Sequence, residues 1–497
     1  MKAINAAALL VLLALALPAR AVEYWSYTYH EIEVTAAGNA GRAVDLAHDL
    51  AQLDAAFART TAAPVGSWRV PVHVYALPDA VFKKVYGGNF ASVFANADSR
   101  HDILINIDNS NAVDRYWAAY FGYIAGIMAT AGNRYPYWYL LGVSSVFAAS
   151  SISGDRVIIG GVAGNQLALL NRGYMIPMRT VLNMKSGDPQ LTDGNFDQLY
   201  RAQCWLFVHQ VLIEHKYRES VAKYLDLLSE GKGEGEAFSA SFNISYDDLD
   251  AFMHGLMTTG TLNRFAINLP KINSGTPQVL TSAEVNARLA EFGVSHNHEL
   301  QDAMQRARDA IAVEPNNERA WRALARGQIT QGNYAEALRA VERLSAQTTL
   351  SAQGYYDCGV ALVAIAQHHA DVAVDEAALT QRARDDFEKS IAMNGDDPAP
   401  LVGFSAMIVS HKDVEAAKKL VPVVQQAASR NPNDSDLARS TARLCALLGD
   451  ADCALKFAQA WQRFSKTGAE RDIATAYLSR IRTNIERHSA ASPDNPN

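Results

Sequence analysis

Arg115–Ser150 reads RYWAAYFGYIAGIMATAGNRYPYWYLLGVSSVFAAS. From Trp117 to Ala131 it is a continuous apolar run without a single charged side chain. Gly132-Asn133-Arg134-Tyr135-Pro136 follows, with the Gly, Asn and Pro that turns use. A second apolar run, Trp138 to Ala149, comes next. The pattern predicts two buried antiparallel helices joined by a turn, and the rest of the chain is arranged around them.

Upstream, residues 22 to 109 read as mixed α/β. Tyr27 to Thr35 alternates with β-favouring residues, which predicts a strand. Gly41 to Arg59 places Val44, Ala47, Leu50, Leu53 and Phe57 at helical spacing. Val70–Leu77 and Asp102–Asp108 predict two further strands, with a short helix opening at Pro78-Asp79. Downstream, Leu167 to Arg172 is predicted helical and Met184 to Asn195 is a loop rich in Gly, Asp, Ser and Pro. Phe196 to Tyr217 predicts a long helix with Tyr200, Cys204, Phe207, Val208 and Val211 near one face.

The N-terminus has the order of an export signal. Lys2 supplies the positive end, Ala6 to Leu17 the apolar run, and Ala19-Arg20-Ala21 a small-x-small cleavage site. The apolar run is shorter than the roughly 20 residues a membrane span needs. The expectation is therefore an exported, bacterial-style protein, periplasmic or secreted, with no stable membrane anchor after cleavage.

Past a Pro- and Gly-containing connector, the composition shifts to Ala, Arg, Glu, Gln and Leu. Trp321, Leu324, Ala325, Gly332, Tyr334 and Ala337 set out a large residue, a small one, a glycine turn and an alanine. Ala303, Ala307, Ala310 and Pro315 fit the second helix of a preceding unit. Gly359 stands 34 residues after Ala325, and Ala442, Gly449 and Ala454 repeat the scheme behind Pro432. This resembles tetratricopeptide repeats. Small residues let paired helices approach, and stacked pairs bury a core that no single pair could. His368 to Thr380 interrupts the period as an insertion, and three to four units are expected between Glu299 and Ile485.

The chain has 497 residues and a formal charge of -7, from 45 Lys and Arg against 52 Asp and Glu. That length argues for more than one domain, and the charge balance shows no footprint for nucleic acid. The cysteines are Cys204, Cys358, Cys445 and Cys453, without a CxxC pair. Cys445 and Cys453 flank the Gly449-Asp450 turn; a disulfide there and two free buried thiols both remain open.

The central stretch also resembles the metal-binding helix pair of gluzincin-type zinc peptidases, in the group called peptidase MA-like. That group starts its second helix Pro-x-Trp-x-x-Glu-Gly and continues Ala-x-x-Phe. Pro136, Trp138, Gly142 and Phe147 match this frame. Tyr200, Cys204, Trp205 and His209 resemble a later helix of the group, and Ala237-Phe238 with Phe242 its closing segment. In register, the two His positions fall on Phe121 and Ala125, the general base on Gly122, and the third ligand on Leu141. A zinc peptidase needs two His one helical turn apart, a neighbouring Glu and a third ligand. None of these stands here, so the resemblance implies a module without its zinc site. An unpaired buried acid would be costly once the metal is gone, which accounts for apolar replacements.

Other constellations are weaker. His209 with Glu214 and His215 is the next cluster, but on one helix the two His point about 120 degrees apart. His30-Glu31 and His101-Asp102 lack partners at ligand spacing and read as strand or loop polarity. His368-His369 with Asp371 and Asp375 reads as a solvated loop. Gly160 to Gly164 has no phosphate-loop Lys, and the serines at 144, 145, 150 and 151 lack a nucleophile elbow.

The expected organisation is a signal peptide (1–21), an α+β peptidase-like domain with a mostly helical second half (22–262), a connector (263–298), an all-α repeat solenoid (299–487) and a disordered tail (488–497). The expected function is a non-catalytic scaffold that binds a protein or peptide partner through its repeats and needs no cofactor. Tyr123, Trp138, Trp205 and His209 are the expected lining of any residual cleft. The rival is a hydrolase with an atypical site around His209.

Overall fold

The structure is a computed structural model. It describes residues 22–491 apart from 62–70, 88–91, 98–99, 109–111, 131–134, 163, 260–261, 274, 369–373, 396 and 466–467. The expected signal peptide, most of the Gly132–Pro136 turn and His369-Asp371 lie outside the described residues.

Strand β1 (Tyr24–Tyr29) and strand β2 (Ile32–Ala37) form a hairpin. One strand was expected across Tyr27–Thr35. The chain instead reverses at His30-Glu31, where His30 takes φ +50, a conformation that alternation alone does not reveal. Helix α1 (Ala40–Thr61), strand β3 (Val72–Leu77), helix α2 (Asp79–Val85), strand β4 (Ser92–Ala97) and strand β5 (Arg100–Asn106) follow. β2, β3 and β5 pair parallel, while β4 adds antiparallel to β5 at the edge.

Successive side chains on a strand face opposite ways, and this sheet buries both faces. Val34, Ala36, Val74, Ala76, Ile103 and Ile105 share one core with Leu46, Leu50, Leu53 and Phe57 of α1. The alternate residues Tyr75, Leu77 and Leu104 join a second core on the other face.

Helices α3 (Ala112–Thr130) and α4 (Tyr137–Ala148) are the two apolar runs of the central stretch. A short antiparallel ribbon follows, strands β6 (Ser151–Ser153) and β7 (Arg156–Ile159). Then come helices α5 (Gly164–Leu170), α6 (Met178–Asn183), α7 (Gly194–Leu212), α8 (Arg218–Ser229), α9 (Glu234–Ser241) and α10 (Tyr246–Thr259). Asp193 caps α7 by accepting from the backbone N–H of Asn195 and Phe196. α7 stops at Leu212, short of the expected Tyr217, so His215 (φ +57) lies beyond it. Strand β8 (Phe265–Asn268) pairs with β7, and strand β9 (Gln278–Val279) extends the main sheet beside β1.

Residues 263–298, expected as a connector, carry β8, β9 and a full helix, α11 (Ser282–Ser295). Val285, Leu289 and Phe292 of α11 pack against Tyr75, Leu77 and Leu104, so α11 forms the third layer over the sheet. It is also the first helix of the repeat array. The chain continues as α12 (Leu300–Val313), α13 (Glu318–Thr330), α14 (Tyr334–Ser345), α15 (Ala352–Gln367), α16 (Glu376–Met393), α17 (Pro398–His411), α18 (Val414–Arg430), α19 (Ser435–Leu447), α20 (Ala451–Phe464) and α21 (Gly468–Ala491). Among the described residues these make five helix pairs and a terminal helix, starting earlier than the expected Glu299. The insertion expected over His368–Thr380 ends within a helix, since Asp375 caps α16 at Glu376. The tail expected from 488 continues as helix to Ala491.

The array is thus mostly helical solenoid, as the repeat spacing implies. Ala325, Ala337, Ala442 and Ala454 are buried between helices, while Trp321, Leu324 and Tyr334 are half-buried beside them. Gly332 and Gly449 turn the chain at φ +77 and +76. Gly359 lies against the Phe387 ring, where an added Cβ would stand 3.0 Å from it. Asp397, Asp413, Asp434 and Asp450 each cap the following helix through a backbone N–H. Cys445 and Cys453 form a disulfide across the Gly449 turn, and Cys204 and Cys358 are buried thiols.

Candidate binding site

The two helices of the central stretch are filled with apolar side chains at the positions singled out above. Phe121, Ala125 and Leu141 belong to one apolar core and are at most 5% exposed. Phe121 stacks on Trp117 at 5.1 Å, and Trp138 packs on Phe207 at 5.3 Å. Gly142 sits where α4 crosses α7: a Cβ there would lie 2.3 Å from Val208 and 2.6 Å from the Cys204 carbonyl. Gly142 therefore permits close helix contact. Two acids of α1 reach α3. Asp49 accepts from Tyr120 Oη at 2.7 Å, and burial lifts its carboxyl to about 6. Burial, helped by Asp54, pushes the Tyr123 phenol well up.

The expected cleft residues lie in the interior. Tyr123, Trp138, Trp205 and His209 are all buried, because their rings fill the space between packed helices. His209 Nε2 lies 3.3 Å from the Gly160 carbonyl and 3.1 Å from that of Asn263, so it is placed to donate to backbone. Burial holds its pKa down. Glu214 accepts from the backbone and side-chain nitrogens of Asn263. His209 and Glu214 thus pin the segment after α10. Glu214 and His215 do not join His209 as ligands: His215 is beyond the helix end, within 3.4 Å of Arg218. Among the described residues no group of three His, Cys, Asp or Glu side chains is placed to hold a metal ion.

A polar constellation lies elsewhere, at the joint between sheet and array. Glu33, His73 and Asp102 are register neighbours on β2, β3 and β5. They share the parity of Tyr75 and Leu104, so this charged row faces the repeat helices. Asp102, which opens the strand expected over Asp102–Asp108 and reads with His101 as ordinary strand or loop polarity, is wholly buried on β5. It accepts from Arg100 Nε at 2.8 Å and contacts His296 Nε2 at 2.5 Å. Glu291 of α11 receives three guanidinium groups: Arg100 and Arg319 at 2.7 Å and Arg322 at 2.6 Å. Glu33 pairs with Arg288 at 2.8 Å and Arg319 at 3.4 Å. Asp357 on α15 holds Arg322 at 2.6 Å and Arg326 at 3.5 Å.

The electrostatics follow from this packing. Burial alone would raise the Glu33 carboxyl, but Arg319, Arg288 and His73 hold it near about 2. Glu291 is held well below its usual range against the same burial by Arg319, Arg100 and Arg322. His73 is pushed down to about 4, first by burial and then by Arg100. A cavity of about 220 Å³ opens here, lined by His73, Arg100, Glu291, Arg319, Arg322 and Arg326 among others. The sequence reading missed this site. The available signals were charged residues at inward strand positions and three arginines at i, i+3 and i+7 on α13.

The array carries a second opening of about 840 Å³, between α12 and α14 over the α13 residues Trp321, Leu324 and Gln328. Arg308, Arg339 and Arg343 flank it with Glu336 and Glu342. The other edge of α13, bearing Arg319, Arg322 and Arg326, meets the joint. That side of the first repeats is occupied by the chain's own sheet.

Residues 296–355 match the family described as tetratricopeptide repeat. No curated protein matches the sequence. Among solved structures, the tetratricopeptide-repeat protein TTC0263 of Thermus thermophilus is similar at 18% identity and a TM-score of 0.32, over 40% of this chain and 99% of that one. A tetratricopeptide-repeat protein of Parabacteroides merdae is 14% identical with a TM-score of 0.30, over 56% and 94%. YrrB, described as having an unusual peptide-binding site, is 14% identical with a TM-score of 0.30, over 39% and 92%. The repeats point to protein interaction.

Proposed function

We propose that this chain is an exported, non-catalytic scaffold, in which a peptidase-like module without a zinc site is built onto a tetratricopeptide array that binds a protein or peptide partner. The observation that carries the reading is the filling of the helix pair. Phe121, Gly122, Ala125 and Leu141 stand at the positions where the resemblance would put ligands and base, and all four are buried. Phe and Ala offer no lone pair, and neither Gly nor Leu can activate water. The match of residues 296–355 to tetratricopeptide repeats supports the partner-binding half. With the sheet covering one side of the first repeats, the groove above Trp321 and the helices from α15 onward are the faces left for a partner. No helix among the described residues is long and apolar enough to cross a membrane.

The test uses the purified chain lacking residues 1–21. Zinc is measured by elemental analysis, and cleavage is followed on a denatured protein substrate with and without chelator. The expectation is neither bound zinc nor cleavage, together with capture of a defined partner from a periplasmic extract that is lost when α13–α16 surface residues are exchanged. Stoichiometric zinc with chelator-sensitive cleavage overturns the proposal.

A further inference from the structure

We propose that the arginine-lined cavity at the joint is a binding site for a small oxyanion, a carboxylate or phosphate compound no larger than a dicarboxylic acid or a phosphomonoester. The site is distinct from the apolar helix pair, and the inference does not depend on the function proposed above.

The lining sets the sign of the ligand. Four guanidinium groups, from Arg100, Arg319, Arg322 and Arg326, face the cavity against the single carboxylate of Glu291. The other acids of the network, Glu33, Asp102 and Asp357, with Glu284 at 3.6 Å from Arg319 and Glu318 at 3.7 Å from Arg322, hold these arginines from outside the lining, so the surplus of guanidinium is local to the cavity wall. Arginine presents planar, forked donors that match carboxylate and phosphate oxygens.

The donors are also not used up. Arg100 is 5% exposed, yet its Nη2 finds no hydrogen-bond partner among the described residues. Its Nε donates to Asp102, and its Nη1 stands 2.7 Å from Glu291 as an ion pair without hydrogen-bond geometry, so neither Nη1 nor Nη2 donates a hydrogen bond within the described residues. A buried donor without a partner is costly, and such groups in folded proteins usually meet a ligand or an ordered water. Each guanidinium carries five N–H donors. Arg326, a third exposed, uses one for Ser295 Oγ at 3.1 Å and reaches Asp357 only at 3.5 Å. Pro71, His73, Ser295, Ser351 and Gln353 complete the lining; Ser351 Oγ donates to Glu318 and Gln353 Nε2 to Asp357, so the arginines are the donors facing the space.

The volume sets the size. About 220 Å³ is below the roughly 300–1,000 Å³ of drug-sized pockets and above the roughly 150 Å³ that takes one benzene ring. A compound of about a dozen heavy atoms or fewer fits. Because the lining comes from β3 and β5 and from α11, α13 and α15, an anion there would bridge the sheet to three repeat helices.

Isothermal titration calorimetry of the full chain against inorganic phosphate and against succinate tests this, with sodium chloride at matched ionic strength as the reference. One site per chain is expected for at least one of the two, and their relative affinity identifies the headgroup. Arg326→Gln should raise Kd about tenfold or more. Gln353→Glu, which adds a carboxylate at the lining and removes no arginine, should do the same. Circular dichroism of each variant without anion confirms folding, and either variant suffices if the other fails to fold. The proposal is overturned if neither anion binds beyond the chloride reference, or if binding persists unchanged in a folded variant.

Discussion

Removing the Glu291 side chain probes the joint most directly. Its carboxylate, 8% exposed, lies within 2.7 Å of Arg100 and Arg319 and 2.6 Å of Arg322. Glu291→Ala leaves three largely buried guanidiniums short of an anion. Breaking a buried pair in this way costs about 3–5 kcal/mol, against about 0–1 kcal/mol for an exposed pair. Glu33, Asp357 and Asp102 still hold Arg319, Arg322 and Arg100, so no guanidinium is left without an anion and the lower half of the range is expected. The assay is urea unfolding at pH 7 followed by circular dichroism and tryptophan fluorescence. It is repeated at 0.15 M and 1 M sodium chloride, where the screening length falls from about 8 to about 3 Å. A buried network keeps its effect at high salt. The cycle Arg100→Met, Glu291→Met should recover about 1–3 kcal/mol relative to the summed single losses. A loss below about 1 kcal/mol for Glu291→Ala, or one that vanishes in 1 M salt, refutes the reading of a buried joint.

Three further outcomes are expected. Gly142→Ala gains about 1 kcal/mol of helix propensity but drives a Cβ into the Cys204 carbonyl and Val208, costing about 3 kcal/mol or more; a melting temperature at or above wild type would contradict the close crossing of α4 and α7. His73, neutral in the fold with its pKa lowered to about 4, contributes stability that is full above about 6.5 and lost as pH falls through 4, about 3 kcal/mol in all. His73 faces Glu33 at 3.5 Å and Asp102 at 4.0 Å, with Arg100 and Arg319 beside it. Glu33, lowered to about 2, adds a similar loss below about 4.5. His73→Gln should therefore flatten the urea midpoint between pH 6.5 and 4.5 while leaving the steeper fall below it; an unchanged profile counts against this. Cys445→Ser should cost about 2–3 kcal/mol by freeing a loop closed over a sequence separation of 8; thermal melts that match with and without reductant would rule the contribution out.

The repeats were legible because their signal is local. Ala325, Gly332, Ala337, Gly449 and Ala454 mark close approaches and turns within one helix hairpin, and the structure uses them that way. The two apolar runs were legible as helices for the same reason. What failed were reversals and boundaries. His30-Glu31 turns a hairpin without Gly or Pro, and α11 was hidden because Gly293 and the flanking prolines make residues 263–298 read as a connector. Gly293 serves packing instead: a Cβ there would lie 2.6 Å from Ala303 of the next helix.

The sequence by itself determined that this chain has a core-forming helix pair empty of ligand chemistry and a stacked series of small-residue helix hairpins, since both depend on neighbours a few positions apart. Only the tertiary structure decided where the polar chemistry gathers. Asp102 meets His296 across 194 positions, and Glu33 meets Arg319 across 286. The strand register that aligns Glu33, His73 and Asp102, and the helix α11 that carries Glu291 onto that row, are set by packing between distant segments. No spacing along the chain records it.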